Sequence, residues 1–193
     1  MIDFKENMRR YIETEIDVLR NLDLDELNDA VNAIMDARAR GGTIYTMGNG
    51  GSAATASHMV CDFAKGASDE LGGKKFKFEC LCDNTPIVMA IANDISYEDV
   101  FVYQLRGKLT PEDLVIAISG SGNSENVIRA VKYAKELGAP VIALTGYSGG
   151  KLRALADHRM HVNINDMQIA EDMHMMFDHM MMRVLGEKAD ESD

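Results

Sequence analysis

Two uninterrupted apolar runs, Leu114–Ile118 (LVIAI) and Val141–Leu144 (VIAL), constrain this chain most. A strand that is apolar at every position has both faces buried, the condition met in a parallel sheet with helices on either side. The surrounding pattern agrees. Short strands are expected at 43–48 (TIYTMG), 76–81 (FKFECL), 114–119 (LVIAIS), 141–146 (VIALTG) and 159–164 (RMHVNI). Helical spacing occupies the stretches between them: 52 onwards, 86–92, 96–109, 124–138, 151–156 and 167–186. Before the first strand, two amphipathic helices cover 3–22 and about 25–40, the second stopping at Gly41-Gly42. The expectation is an α/β fold, a doubly wound five-stranded parallel sheet with two additional N-terminal helices. It is read as one domain over 1–193: a helical hairpin (1–42), the α/β core (43–186) and a frayed tail (187–193).

Three of the strands run into loops of glycine and hydroxyl residues: GNGGS (48–52), SGSGNS (119–124) and TGYSGG (145–150). In doubly wound sheets the ligand sits beyond the carboxyl ends of the strands. Glycine allows close backbone approach, and a helix N-terminus offers free N–H groups to an anion. Three such loops at one sheet edge point to a phosphate, although each alone reads as a turn. Asn49, Gly50 and Ser52 of the first loop, and Ser119, Gly120, Ser121 and Ser124 of the second, are the candidate substrate contacts. Ser124 also suits the N-cap of the helix that follows. GNGGS lacks the Lys-Ser/Thr of a P-loop, and no stretch fits a dinucleotide fingerprint.

The formal net charge of −11 opposes a nucleic-acid surface and requires that a phosphate be held by local donors. No apolar run is long enough to span a membrane, and the charged N-terminus lacks a signal-peptide apolar segment, so a cytoplasmic protein is expected. Cys61, Cys80 and Cys82 match neither a disulfide framework nor the usual metal spacing, and are read as reduced core thiols.

His58 and Asp62 lie four apart on one helix face, a spacing that serves either a metal ion or an acid/base pair. The last helix adds Glu171, His174 and His179 in AEDMHMMFDHM. Asp172 and Asp178 read as solvated helix-face charges. Asn93 and Asp94 either meet sugar hydroxyls or end a helix. Six methionines between 173 and 182 suggest a helix buried between subunits.

GNGGSAATASH, NDISYEDVF, AISGSGNSENVIRAV and VIALTGYSGGKL together resemble the sugar isomerase (SIS) domain, and within it the phosphoheptose isomerases, over nearly the whole chain. The resemblance implies a flavodoxin-like sheet and a homotetramer with active sites at subunit interfaces. It implies isomerisation of sedoheptulose 7-phosphate to an aldose phosphate, and in several members zinc. By resemblance Ser119, Ser121 and Ser124 hold the phosphate with Ser52 nearby, and His58 matches a zinc ligand. Asp62 stands where the family has a glutamate that is base and ligand, Glu171 where it has a glutamine ligand, and His179 where a histidine is acid and ligand. The expected metal set is therefore His58, Asp62, Glu171 and His179, and the catalytic set Asp62, His179 and Glu171. The gained carboxylate at Glu171 is a rival for the base role. A non-catalytic SIS protein binding a partner such as a replication initiator, or a domain that senses a sugar phosphate, are the alternatives, and an intact acid/base set argues against both.

Overall fold

The computed structural model describes residues 2–190. Helix α1 (Lys5–Arg20) and helix α2 (Leu24–Arg40) come first. Asp23 caps α2, its carboxylate accepting from the N–H groups of Asp25 and Glu26, and Gly41 closes it with φ +81°. Strand β1 (Thr43–Met47), helix α3 (Gly51–Cys61), a π-helical turn (Asp62–Ala67) and helix α4 (Ser68–Leu71) form the next unit, followed by β2 (Lys77–Cys80). Helices α5 (Thr85–Asp94) and α6 (Val102–Leu105) precede β3 (Leu114–Ser119). Then come α7 (Glu125–Leu137), β4 (Val141–Thr145), α8 (Gly150–Leu155), β5 (His158–His161) and α9 (Met167–Asp190).

All neighbouring strands are parallel, in the order β2-β1-β3-β4-β5. Strand alternation divides the core. Ile44, Ile116, Ile118, Ile142 and Leu144 face α2, α3 and α9. Tyr45, Met47, Val115, Ala117, Val141 and Ala143 face α6, α7 and α8. Every residue of β3 and β4 is buried, as their composition requires.

Four sequence expectations are corrected. The helix expected over 96–109 is instead a 3₁₀ turn at Tyr97–Asp99 and a single α-turn at Val102–Leu105, ending at Gly107 with φ +77°. The last strand is shorter, 158–161. Helix α9 runs on through Asp190 where a frayed tail was expected from 187, and residues 191–193 lie outside the described part. Cys61 is exposed, so only Cys80 is a fully buried thiol.

Helix α1 buries no residue, yet Phe4, Met8, Tyr11, Ile12, Ile16 and Leu19 form one apolar stripe along it. Val18 and Leu22 rest against the core, and the Tyr11 hydroxyl donates to the Asp172 carboxylate on α9. The stripe itself faces solvent.

Candidate active site

Chain order places the switch of sheet winding between β1 and β3, and the crevice where this topology binds ligands lies beyond their carboxyl ends. The GNGGS and SGSGNS loops meet there. Asn49 and Asn126 exchange reciprocal side-chain hydrogen bonds of 3.0 and 2.8 Å, joining the first loop to α7. The Tyr97 hydroxyl donates to the Asn49 side-chain oxygen at 2.7 Å. Asn49 therefore braces the crevice. Asn126 and Tyr97 lie inside the stretches AISGSGNSENVIRAV and NDISYEDVF that carry the family resemblance, but neither is given a role of its own there.

In the second loop the Ser119 and Ser124 hydroxyls lie 3.1 Å apart, and the Ser121 oxygen accepts from the Asn123 N–H at 3.2 Å. Ser124 occupies the N-cap position of α7, but its hydroxyl faces Ser119 and makes no capping bond. Gly122 has φ +65°, and a Cβ there would sit 1.9 Å from the Gly149 carbonyl oxygen. The third loop is thus a support: the Gly146 N–H donates to Gly120 O at 2.8 Å, and the Leu152 N–H to Gly122 O at 2.9 Å. Ser52 is buried in the first turn of α3, where a Cβ on Gly48 would come within 2.7 Å of it. The Cys82 thiol donates to Gly48 O at 3.3 Å and ties the end of β2 to this loop.

Helices α3 and α9 lie side by side and point the same way. At their start the Glu171 carboxylate abuts Gly51, where an added Cβ would be 2.4 Å from its Oε2. Seven residues further along α3, about 10 Å at 1.5 Å per residue, stands a second group. His58 Nε2 is 3.1 Å from His179 Nε2 and 3.5 Å from Asp62 Oδ2, which is 3.9 Å from His179 Nε2. The π-turn begins at Asp62, and such insertions recur at functional sites. It packs tightly on α9, where a Cβ on Gly66 would meet Met182 Cε at 2.8 Å. Ser68 stabilises the widened turn: its hydroxyl donates to Phe63 O at 2.8 Å and accepts from the Phe76 N–H at 2.9 Å.

Three of the four expected metal ligands therefore converge, and Glu171 stands apart from them by about two helical turns. Asn93 and Asp94 bond to each other at the exposed end of α5. Asp178, expected on a solvated face, is fully buried, and its ligand atom lies with those of His58, Asp62 and His179 inside 4.8 Å. Neither of its oxygens has a hydrogen-bond partner. Burial, aided by the Asp62 charge, pushes its carboxyl up to about 7. His174, the other histidine of that stretch, is also fully buried and makes no well-formed hydrogen bond, but it faces the Thr145 and His161 side. Burial, with His161 adding to it, lowers its pKa to about 4, so the ring stays neutral. Both residues carry the helical spacing of the buried stripe Ala170, Met173, Phe177, Met181 and Leu185, a signal that periodicity offers and residue type conceals.

The donor chemistry suits a divalent cation. Imidazole and carboxylate are ligands for zinc and its first-row neighbours, and donors around one ion with bonds near 2.1 Å stand roughly 3.4 Å apart.

The SIS-domain family profile matches residues 7–146. A probable phosphoheptose isomerase of Thermoplasma acidophilum is 37% identical over 180 residues, covering 93% of this chain and 98% of that protein. This chain belongs to the phosphoheptose isomerase family of SIS-domain proteins. The phosphoheptose isomerase of Aliarcobacter butzleri is 36% identical over 83% of this chain and 84% of its own length. Among solved structures, phosphoheptose isomerase GmhA from Neisseria gonorrhoeae superposes with a TM-score of 0.86 at 28% identity, covering 95% of this chain and 98% of that one. The five-stranded parallel sheet with its flanking helices is the architecture shared with it, and family membership makes this chain a phosphosugar isomerase.

Proposed function

We propose that the protein converts sedoheptulose 7-phosphate to a D-glycero-heptose 7-phosphate. The observation that carries this reading is the spacing of two groups along one helix pair. A hydroxyl-rich crevice lies at the start of α3 and α9, and an acid/base cluster lies about two turns further on.

Phosphate binds in the crevice through Ser119, Ser121, Ser124 and Ser52, with the first backbone N–H groups of α7 and α3 supplying donors that the acidic surface cannot. Asn49 and Gly50 shape the wall of the crevice. Glu171, on α9 beside the start of α3, meets hydroxyls along the sugar. Asn93 and Asp94 end α5 three residues before the Tyr97 that bonds Asn49, and offer further hydrogen bonds to the sugar. The reacting carbons reach the His58–Asp62–His179 cluster. Asp62 removes the proton from C1 of the ketose, and His179 donates a proton to the developing oxyanion at C2. Return of the proton to C2 with loss of the O1 proton completes the exchange, oxidising C1 and reducing C2 with no external redox partner. His58, Asp62 and His179 would hold a divalent cation, zinc by chemical preference, which polarises the carbonyl when bound. Asp62 is preferred to Glu171 as base because it shares the cluster with the acid, whereas Glu171 stands beside the phosphate crevice.

The apolar stripe on α1, together with exposed Ile87 and Met89 on α5, supports assembly as a homotetramer. An open groove of about 610 Å³ beside His179, lined by Glu15, Asp172 and Met176, supports sites completed at the subunit interface. No helix of the described residues is long and apolar enough to cross a membrane, in keeping with a cytoplasmic enzyme.

The test is turnover of sedoheptulose 7-phosphate by the purified protein, followed as aldose formation. Asp62→Asn should abolish turnover, and Glu171→Gln should raise KM with most of kcat retained. The assignment of the base is overturned if Glu171→Gln is inactive while Asp62→Asn turns over. The isomerase reading is overturned if the metal-loaded protein forms no aldose phosphate.

A further inference from the structure

We infer that Asp178 is a ligand of the metal centre, so that the cation is held within one chain by His58, Asp62, Asp178 and His179, and Glu171 is left outside it. The inference rests on the metal-assisted reading above.

An unpaired carboxylate is among the costliest groups to bury, and native proteins leave few buried polar atoms without a partner. Asp178 has no exposed surface and two unpartnered oxygens. It is not isolated by chance in an apolar pocket, since its ligand atom lies within 4.8 Å of one donor atom on each of His58, Asp62 and His179. Both imidazoles face the same point through Nε2. Two carboxylates side by side repel, and neither ring can donate to both. A divalent cation among two carboxylates and two neutral imidazoles resolves this, with zero net charge and four donors of suitable type, and it would take the substrate oxygen by expanding to a fifth donor. Asp178 supplies the fourth donor that Glu171, abutting Gly51 at the start of α3, does not bring to this point.

The fold supports that assignment. The π-turn starting at Asp62 packs on α9 at Gly66 and Met182, below the level of Asp178. Asp178 and His179 are consecutive on α9, so they flank the contact with α3 from its buried and exposed sides.

The experiment measures metal binding and stability, not turnover. Chelated wild type, Asp178→Asn, Asp178→Leu and Glu171→Gln are titrated with Co²⁺ followed by its visible spectrum, and with Zn²⁺ by competition against a chromophoric chelator. Wild type and Glu171→Gln should bind one ion per chain with the same spectrum. Both Asp178 variants should lose at least tenfold in affinity and change the spectrum. Without metal, Asp178→Leu should melt at or above the wild-type temperature, because the buried charge is gone. With metal, wild type should rise in Tm and Asp178→Leu should not. Wild-type affinity, spectrum and Tm increment in both Asp178 variants would overturn the inference, as would loss of the ion in Glu171→Gln. Failure of wild type to bind any divalent ion would also overturn it, and aldose formation by that metal-free protein would leave the isomerase reading standing.

Discussion

Acid should destabilise this protein through His174 in a way one substitution can isolate. The ring is fully buried on α9, makes no well-formed hydrogen bond, and is lowered from 6.5 to about 4 by burial, with His161 adding to the effect and the Thr145 backbone opposing it. The unfolded chain therefore takes up a proton near pH 6.5 that the folded chain refuses until about pH 4. A depressed folded-state pKa gives stability that is present above 6.5 and lost as pH falls toward 4. The full difference, 2.5 pKa units at 1.36 kcal/mol each, is about 3 kcal/mol. Integrating between pH 7.5 and pH 5 gives about 2 kcal/mol.

Asp178 acts with the opposite sign. Its folded pKa of about 7 lies above the unfolded 3.8, so its contribution grows as pH falls through 7. The wild-type profile is a sum of opposed terms, and a single curve identifies neither. The difference between wild type and His174→Leu removes Asp178 to first order, because both proteins carry it. Urea unfolding at pH 7.5, 6 and 5, in chelator and at one protein concentration, should show wild type losing about 2 kcal/mol more than His174→Leu over that range. Parallel profiles for the two proteins would refute the reasoning and mean that His174 finds a partner or water when folded.

Ser121→Ala removes a hydroxyl from the phosphate loop and should raise KM roughly 10- to 100-fold with little change in kcat, as expected for a hydrogen bond to a charged group; equal KM values would remove Ser121 from the phosphate site. Gly122→Ala must place a Cβ 1.9 Å from Gly149 O at φ +65°, and should cost about 2–4 kcal/mol of stability by urea unfolding. Replacing Ile12 and Ile16 together by Asp should leave the α1 helix intact but reduce the assembly to smaller species in sedimentation velocity; an unchanged sedimentation coefficient would mean that the stripe is not an interface.

The parts legible in the sequence are those in which one residue type has one physical use. LVIAI and VIAL are short, rich in β-branched residues and set between helical stretches, which favours two-sided strands, and β3 and β4 fall within a residue of the expected bounds. Gly41 and Gly138 end helices in the left-handed conformation, as expected. The stretch 96–109 misled because Val100, Phe101, Val102, Leu105 and Leu109 satisfy helical spacing while serving a looser coil that buries all five. Spacing reports which side chains point inward and cannot tell an α-turn from a 3₁₀ turn followed by a glycine break. TGYSGG misled differently. Its composition is that of an anion loop, but its Gly150 packs on the Gly122 carbonyl, where an added Cβ would come within 2.6 Å, and its Gly149 leaves room for the Arg153 side chain. The sequence shows that a Cβ is unwelcome there and not what takes its place.

Helix α9 shows why the cluster was only half legible. His174 and Asp178 are four residues apart on one buried stripe, so they have the same relation to the helix axis. Their surroundings differ because the first lies over the sheet, near Thr145 and His161, and the second over the π-turn, near Asp62 and His58. Beside the sheet a neutral imidazole is the tolerable state, since no acid faces it. Beside the π-turn an isolated carboxylate has two imidazoles and a second carboxylate within reach, and a shared cation satisfies all four at once. The same stripe thus carries one polar residue suppressed by its environment and one that its environment explains. Only the packing of α9 against both the sheet and α3 separates them, and that is long-range information a local pattern does not hold.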